Sequence, residues 1–170
     1  TNAFNIDMKS FNNNFYKKLT CADIEPVKNI LRQIAKSGKH LEITTLIIPG
    51  QNDEESEMAL QSEWIAGELG KHVPLHLSRY FPMFKRNDPA TSQETLNRLF
   101  EIASENLDYV YMGNTISECG QNTFCPKCRT VVTKRTGYKI SMSNLTIDGK
   151  CKSCGTLIYN NFTLSSSINR

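Results

Sequence analysis

Four cysteines near the C-terminal end of the chain have the spacing of a metal site. Cys125 and Cys128 form one Cys-x-x-Cys pair, and Cys151 and Cys154 form a second pair after 22 intervening residues. Each pair can turn its two sulfurs toward one ion, so together the pairs supply four thiolates in a tetrahedron. Such a ligand set suits Zn²⁺ or a single iron, and it is typical of a zinc ribbon.

Three other interpretations of these cysteines remain open. The thiols could be unliganded or joined in two disulfides, a pair could be redox-active, or the four could hold an iron–sulfur cluster. The N-terminal residues lack the charged-then-apolar order of a signal peptide. We therefore expect an intracellular protein, in which metal binding is favoured over disulfides.

The residues between the two cysteine pairs predict a β-hairpin. The segment TVVTKRTGYKISM is rich in β-branched residues, and Thr136 and Gly137 lie near its turn. Gly155, directly after the second pair, allows the positive φ that a metal-binding turn often needs. A segment this small buries little apolar surface, so a bound metal would supply folding energy. Zn²⁺ is the predicted cofactor.

The net charge is negative before about residue 119 of the 170-residue chain and positive after it. Residues 1–119 contain 12 Lys and Arg against 16 Asp and Glu, a net charge of −4. Residues 120–170 contain 8 Lys and Arg against one acid, a net charge of +7. The break indicates a domain boundary, with a zinc ribbon at 119–162 and a disordered tail at 163–170.

The overall composition excludes several protein classes. With 39% hydrophobic and 22% charged residues, the chain is expected to fold rather than to be disordered. A membrane-spanning helix needs roughly 18 consecutive apolar residues, and the sequence has no such run. We expect a cytoplasmic protein without a membrane partner.

Strands and helices alternate in the first part of the chain, which predicts an α/β fold with a parallel sheet. The predicted strands are residues 4–9, 41–48, 73–80 and 109–112, and the predicted helices are residues 26–37, 54–69 and 92–107. Asn52 and Asp53 are candidate caps of the second helix, and Thr91 with Glu94 is a candidate capping box of the third. Residues 11–23 are too polar for a clean element and are expected to form a loop. Functional groups are expected at the C-terminal ends of the strands.

Several segments in this order carry a family resemblance. They are FNIDMK, CADIEPV, LEITTLIIPGQND, PLHLSRYFP, YVYMGN and NTFCPKC. Together they resemble the C-terminal half of radical SAM enzymes similar to pyruvate formate-lyase-activating enzyme. Within that group the resemblance is to the AmmeMemoRadiSam system radical SAM enzyme. It extends to about Tyr159.

This resemblance implies that residues 1–118 are the C-terminal half of a partial (βα)₆, TIM-like barrel. The family binds S-adenosylmethionine (SAM) on a [4Fe–4S] cluster held by a Cys-x₃-Cys-x₂-Cys loop, and this sequence contains no such motif. We therefore expect a fragment whose cluster ligands lie in a missing N-terminal half or a companion chain. The chain alone should be inactive, and the full-length protein should be a radical SAM enzyme.

The resemblance also assigns roles to two charged residues at the end of the first strand. Asp7 and Lys9 match an Asp-x-Lys motif, in which Lys9 pairs with the SAM carboxylate and Asp7 helps to bind a nearby monovalent cation or polar group. Both side chains share one face of the strand, because alternate residues do. The alternative is a pair of solvated charges at a strand end.

Further roles come from the two following strands. Ile48 and Pro49 match an apolar block that flanks the adenine, and His76 matches a histidine near the cofactor. Arg79 could hold an anionic substrate group bidentately, or it could form a surface ion pair. His40 and His72 are placed in loops before strands and receive no role. No catalytic residue is assigned.

Partners follow from the same observations. A protein substrate is implied only by the activating-enzyme resemblance, and a first strand without its neighbour would expose an edge through which copies could self-associate. The second hypothesis is a binding module, in which the ribbon, near +5 with Zn²⁺ bound, docks nucleic acid or an acidic protein. The ribbon has few aromatic residues for stacking, which disfavours nucleic acid.

Overall fold

A computed structural model describes residues 1–85 and 87–159. The chain divides into two compact units, one covering Thr1–Gly120 and one beginning at Gln121. We call them the α/β unit and the cysteine unit. The predicted tail at 163–170 lies outside the described residues. Within the described part of the chain, no helix is both long and apolar enough to cross a membrane.

A four-stranded parallel sheet forms the centre of the α/β unit. Its strands, in the spatial order β1-β2-β3-β4, are β1 Ala3–Asp7, β2 His40–Ile47, β3 Leu75–Arg79 and β4 Val110–Gly113. The helices are α1 Asn13–Phe15, a π-helix Tyr16–Thr20, α2 Ile24–Lys36, α3 Glu55–Glu68 and α4 Gln93–Asn106. The predicted α/β class with a parallel sheet is confirmed. That this unit is the C-terminal half of a partial (βα)₆ barrel remains a prediction.

The helices pack against one face of this sheet. Parallel strands in sequential order, joined by right-handed crossovers, place every connecting helix on the same side. Alternate residues of the strands, such as Ile43 of β2 and Leu77 of β3, are fully buried there together with Leu31, Ile65 and Leu99 of the helices. This burial fixes the register, because a one-residue slip would turn the apolar set toward the other face.

The opposite face of the sheet is polar. Its side chains come from the alternate positions of all four strands and are exposed or half-buried. We call this set the polar face: Asn5, Asp7, Glu42, Thr44, His76, Ser78 and Tyr111. Both faces of a parallel sheet are normally covered, whereas these polar side chains are exposed or half-buried in the described part of the chain.

The segment predicted as a loop, residues 11–23, contains α1 and the π-helix instead. The Asn12 side chain accepts a hydrogen bond of 2.9 Å from the Asn14 amide and caps this turn. Phe15 and Tyr16 are buried and anchor it. The prediction missed the segment because only two of its residues are apolar anchors, which is too few for a helical period.

The predicted capping box of the third helix is wrong by one residue. Ser92 is the N-cap of α4, and its hydroxyl accepts a hydrogen bond of 2.9 Å from the Thr95 amide. Thr91 is fully buried and donates its hydroxyl to the Ile47 carbonyl at 2.6 Å. Thr91 therefore ties the end of β2 to this loop instead of capping a helix.

The cysteine unit contains a three-stranded antiparallel sheet. Its strands are β5 Thr123–Phe124, β6 Val131–Thr136 and β7 Lys139–Ser141, in that spatial order. Gly137 has a φ of 57° and turns β6 into β7, as the hairpin prediction required. The small core consists of Cys125, Val132, Leu145 and Cys151. Two of these four residues are cysteines, so the core and the cysteine site coincide.

Candidate functional site

The four predicted ligand cysteines converge on one point. The sulfurs of Cys125 and Cys154 are 3.5 Å apart, those of Cys128 and Cys151 are 3.6 Å apart, and all four lie within 4.8 Å of one another. Four thiolates around Zn²⁺, with metal–sulfur bonds of about 2.3 Å, would be separated by roughly 3.8 Å. The cluster therefore has the geometry to hold a metal ion, and all six cysteines of the chain are free of disulfides.

Two structurally equivalent turns carry these cysteines. The residue after each pair has a left-handed backbone, with φ of 60° at Arg129 and 71° at Gly155. Its amide donates to the carbonyl of the first cysteine, at 2.9 Å for Cys125 and 2.8 Å for Cys151. A glycine after a cysteine pair predicts this left-handed conformation, whereas an arginine at the same position does not.

A threonine completes each turn in the same way. Thr130 and Thr156 accept, at their carbonyls, a 2.8 Å hydrogen bond from the amide of the first cysteine of the pair. Their hydroxyls lie 3.3 Å from the sulfur of Cys128 and 3.2 Å from that of Cys154. The second cysteine of each pair is thus fixed by its own turn before any metal binds.

The protein environment separates the thiols into two kinds. Burial raises the pKa of Cys125 to about 11. Hydrogen bonds with the Thr130 side chain and backbone lower the pKa of Cys128 to about 6, and Thr156 lowers the pKa of Cys154. The Cys128 and Cys154 thiols therefore lose their protons more readily than the buried Cys125, and a metal ion would favour the thiolate form of each ligand.

On the α/β unit, hydrogen-bond register aligns one polar residue from each strand. Asp7 pairs with Thr44, Thr44 with His76, and His76 with Tyr111. Neighbouring strands are about 4.8 Å apart, so Asp7 and His76 lie roughly 10 Å apart across the polar face. Asp7 and His76 are both predicted to bind the cofactor. They therefore lie in one row of the polar face, although their strands are 30 or more residues apart in sequence.

Lys9 lies two residues after the end of β1. Its ammonium lies 2.6 Å from the Asp7 carboxylate, and both side chains are about half exposed. Its amide donates to the Tyr16 hydroxyl at 3.0 Å. The ion pair places the Lys9 charge at the edge of the polar face.

The backbone of Lys9 is also held by Asn52, which is 3% exposed. The Asn52 amide group donates to the carbonyls of Lys9 at 2.7 Å and Leu46 at 2.9 Å. Its side-chain oxygen accepts from the Ile48 amide at 2.7 Å. The predicted helix-capping role of Asn52 is wrong, because α3 begins at Glu55 and the side chain joins the ends of β1 and β2 instead.

The predicted adenine-flanking residues lie at this same edge. Ile48 packs in a small apolar cluster with Phe15, Tyr16, Ile24 and Tyr80, and Pro49 is half-buried beside it. The Tyr80 hydroxyl is buried and has no hydrogen-bond partner among the described residues. These five side chains are buried against one another, and contact of Ile48 and Pro49 with an adenine stays a prediction.

Arg79 is not brought together with this set. It lies three residues after His76, so strand alternation directs it toward the other face. Its Nε donates to the Thr91 carbonyl at 2.7 Å, and its guanidinium lies 4.8 Å from the centre of the Phe81 ring. Both contacts hold the side chain in place, and Arg79 as a substrate ligand stays a prediction.

Sequence reasoning missed Glu42, the centre of the polar face. Its carboxylate accepts from His76 Nε2 at 3.1 Å, His40 Nε2 at 3.0 Å and Asn5 Nδ2 at 3.3 Å. These contacts, led by that with His76, lower the pKa of Glu42 to about 2. The sequence feature that could have indicated a role for Glu42 is its position as a lone acid within the apolar segment LEITTLII.

The position predicted for His40 is also wrong. His40 is the first residue of β2, not part of a preceding loop, and it shares a strand face with Glu42. Its place on the polar face follows from strand alternation once the strand is known to begin one residue earlier.

Comparison with known proteins identifies the fold. No family model matches the sequence. An uncharacterized protein of Methanocaldococcus jannaschii is 39% identical over 159 residues, which cover 92% of this chain and 47% of that protein. The chain thus spans about half the length of this relative.

Two solved structures resemble the chain in three dimensions. A domain of pyruvate-formate lyase-activating enzyme from Bacteroides vulgatus superposes with a TM-score of 0.58 at 21% identity, covering 66% of this chain and 68% of that one. A radical SAM methyltransferase from Sphaerobacter thermophilus gives a TM-score of 0.56 at 16% identity, covering 66% of this chain and 34% of that one. The chain has a radical SAM-like fold together with a cysteine cluster that could bind a metal.

Proposed function

We propose that the α/β unit forms part of the SAM pocket of a radical SAM enzyme. The observation that carries this proposal is the alignment of Asp7 and His76 in one row of the polar face, with Lys9 at its edge. The names of the two structural neighbours support the same enzyme class. SAM, when bound beside a reduced iron–sulfur cluster, supplies the radical on which such enzymes depend.

In this proposal each residue has a binding role. Lys9 exchanges its Asp7 partner for the methionine carboxylate, and a charge-assisted hydrogen bond replaces the internal one. Ile48 and Pro49 flank the adenine. His76 contacts the ribose from the centre of the face.

The chain's own residues do not fit the iron–sulfur cluster of such an enzyme. The sequence has no Cys-x₃-Cys-x₂-Cys motif, and the four clustered cysteines close a single tetrahedron. We propose that the cluster ligands lie in a further N-terminal half or in a companion chain, and that this chain alone does not cleave SAM. The substrate of the whole enzyme, including a protein substrate, stays open.

The cysteine unit is proposed as a structural zinc ribbon. Four protein ligands leave no open position for water or substrate, which distinguishes structural from catalytic zinc sites. Cys125 and Cys151 belong to the unit's own core, at 0% and 1% exposed. Zinc would therefore stabilise the fold of this unit directly.

The edge of β1 gives the proposed companion a place to bind. Among the described residues β1 pairs only with β2, on one of its two edges. A further strand from the N-terminal half would fill the other edge. Without it, we propose that copies of the chain self-associate there.

A second candidate function uses the β6–β7 hairpin of the cysteine unit. Lys134, Tyr138 and Lys139 are exposed on it, and Arg129 stacks over Phe124 at 5.4 Å nearby. A basic, partly aromatic hairpin suits single-stranded nucleic acid. Binding of labelled single-stranded DNA that weakens steeply with salt would support this function, and no binding at 50 mM salt would reject it.

The enzyme proposal is tested by the production of 5′-deoxyadenosine. After anaerobic reconstitution with iron and sulfide and reduction by dithionite, the full-length protein should convert SAM to 5′-deoxyadenosine and this chain alone should not. If the isolated chain forms more 5′-deoxyadenosine than a blank without protein, the proposal that the cluster ligands lie outside this chain is wrong. No product from the reconstituted full-length protein would overturn the enzyme class.

A further inference from the structure

We propose that Glu42 is a positioning residue that holds the His76 ring on the polar face and determines which ring nitrogen carries the proton. The inference rests on the proposed function, in which His76 contacts bound SAM. It assigns a role to Glu42, for which the sequence pattern predicted none, and it specifies the kind of group that His76 can bind.

Contacts from three strands define the position of the carboxylate. One oxygen of Glu42 accepts from His76 Nε2 of β3 at 3.1 Å and from Asn5 Nδ2 of β1 at 3.3 Å. The other oxygen accepts from His40 Nε2 of β2 at 3.0 Å. The Asn5 side chain is itself held by the Thr44 hydroxyl at 2.8 Å. A carboxylate fixed on several sides can fix its neighbours in turn.

The His76 ring is held on its edge and on its face. Glu42 bonds the Nε2 edge, and the Tyr111 ring stacks on the imidazole with centroids 5.3 Å apart and planes inclined by 28°. Rotation of the imidazole within its own plane would break the hydrogen bond to Glu42. Tilting of the imidazole out of that plane would break the stacking on Tyr111. His76 therefore has a defined orientation before any ligand arrives.

The chemistry of Glu42 then fixes the tautomer of His76. An ionised carboxylate only accepts hydrogen bonds, so the nitrogen that faces it must carry the proton. In the neutral ring Nε2 is then the donor and Nδ1 the acceptor. No hydrogen bond to Nδ1 is formed within residues 1–85 and 87–159. Neutral His76 thus offers a lone pair, which suits a hydroxyl or ammonium donor and not a carboxylate oxygen.

For SAM this selects the ribose hydroxyls or the methionine ammonium as partners of His76. It leaves the methionine carboxylate to Lys9. The two residues would then recognise different ends of one ligand across the roughly 10 Å that separate their strands. This assignment of partners follows from hydrogen-bonding capacity, because the free nitrogen of neutral His76 accepts a hydrogen bond and the Lys9 ammonium donates one.

The tautomer is measured directly by nitrogen-15 NMR of the imidazole rings in this chain at pH 8, without any cofactor. We expect His76 as the Nε2–H tautomer in the wild type and a shift toward a mixture in Glu42→Gln, because an amide can donate or accept. Glu105→Gln is the control, since Glu105 is exposed on α4. The Nδ1–H tautomer in the wild type, or no change in Glu42→Gln, would overturn the inference.

A second measurement separates this inference from the proposed function. In the full-length protein, Glu42→Gln should weaken SAM binding by about five- to tenfold, as for one misplaced hydrogen bond. A tautomer shift with unchanged SAM affinity would keep Glu42 as a positioning residue and remove His76 from the cofactor site. If Glu42→Gln does not fold, the wild-type tautomer alone decides the inference.

Discussion

The side-chain amide of Asn52 donates a hydrogen bond of 2.7 Å to the backbone carbonyl of Lys9. Through its other contacts, to Leu46 and Ile48, the same side chain joins β1 to the end of β2. Three of the four hydrogen-bonding positions of the amide are used, and Asn52 is buried. The position of Lys9, and thus of its charge, depends on this residue.

Replacing Asn52 by alanine should lower the free energy of unfolding by about 2–3 kcal/mol, because buried backbone groups lose their partners. Chemical denaturation of the isolated chain would measure the change. Asn29→Ala is the matched control, since Asn29 is exposed on α2, and it should stay within about 0.5 kcal/mol of the wild type. Equal losses in both variants would show that Asn52 is not a special site.

The metal content of the purified chain tests the proposed zinc site. The purified chain should contain one Zn²⁺ per molecule, and Cys128→Ser should release it and melt the cysteine unit. The α/β unit has its own core and should stay folded. Elemental analysis with a thermal unfolding scan checks both statements. A metal content near zero, iron in place of zinc, or two disulfides found by mass spectrometry would contradict the zinc assignment.

Acid should reveal the contacts of Glu42 with His76 and His40. Its pKa in the folded protein is about 2, below the ordinary 4.5, so the stabilisation it provides is present above pH 4.5 and is lost as the pH falls toward 2. Because the site is partly exposed, we expect a loss of only about 1 kcal/mol. The difference in unfolding free energy between wild type and Glu42→Gln should shrink by that amount between pH 5 and pH 2. A constant difference would contradict the lowered pKa.

The edge of β1 should make the isolated chain self-associate. Light scattering at high micromolar concentration should show dimers of this chain and fewer dimers of the full-length protein, in which the proposed additional strand would cover the edge. If the chain stays monomeric and the amides of residues 3–7 exchange slowly, the edge is already protected. The half-barrel proposal would then give way to a self-contained α/β domain.

The features predicted from sequence are those with a periodic or spaced signal. Alternating apolar residues located the four strands to within about two residues, and cysteine spacing located the sulfur cluster. The segment around Tyr16 was missed because its helical turn depends on burial of two aromatic rings rather than on a period. Local patterns carry no information about contacts of this kind.

Long-range polar contacts were the second kind of feature missed. Asn52 looked like a helix cap because it precedes acids, but its partners lie 4 to 43 residues away. Glu42 looked like a solvated strand residue, and its role depends on His76, which only the parallel register brings close. A pairing of distant strands must be known before such a network can be predicted.

The central claim, that the polar face binds SAM, is tested most directly by the dissociation constant of SAM for the reconstituted full-length protein. Lys9→Ala and His76→Ala should each weaken binding by about 1–3 kcal/mol, the value of a lost charge-assisted hydrogen bond. Lys36→Ala, at the exposed end of α2, is the control and should bind as the wild type does. Wild-type affinity in both Lys9→Ala and His76→Ala would contradict the claim and remove the polar face from the cofactor site.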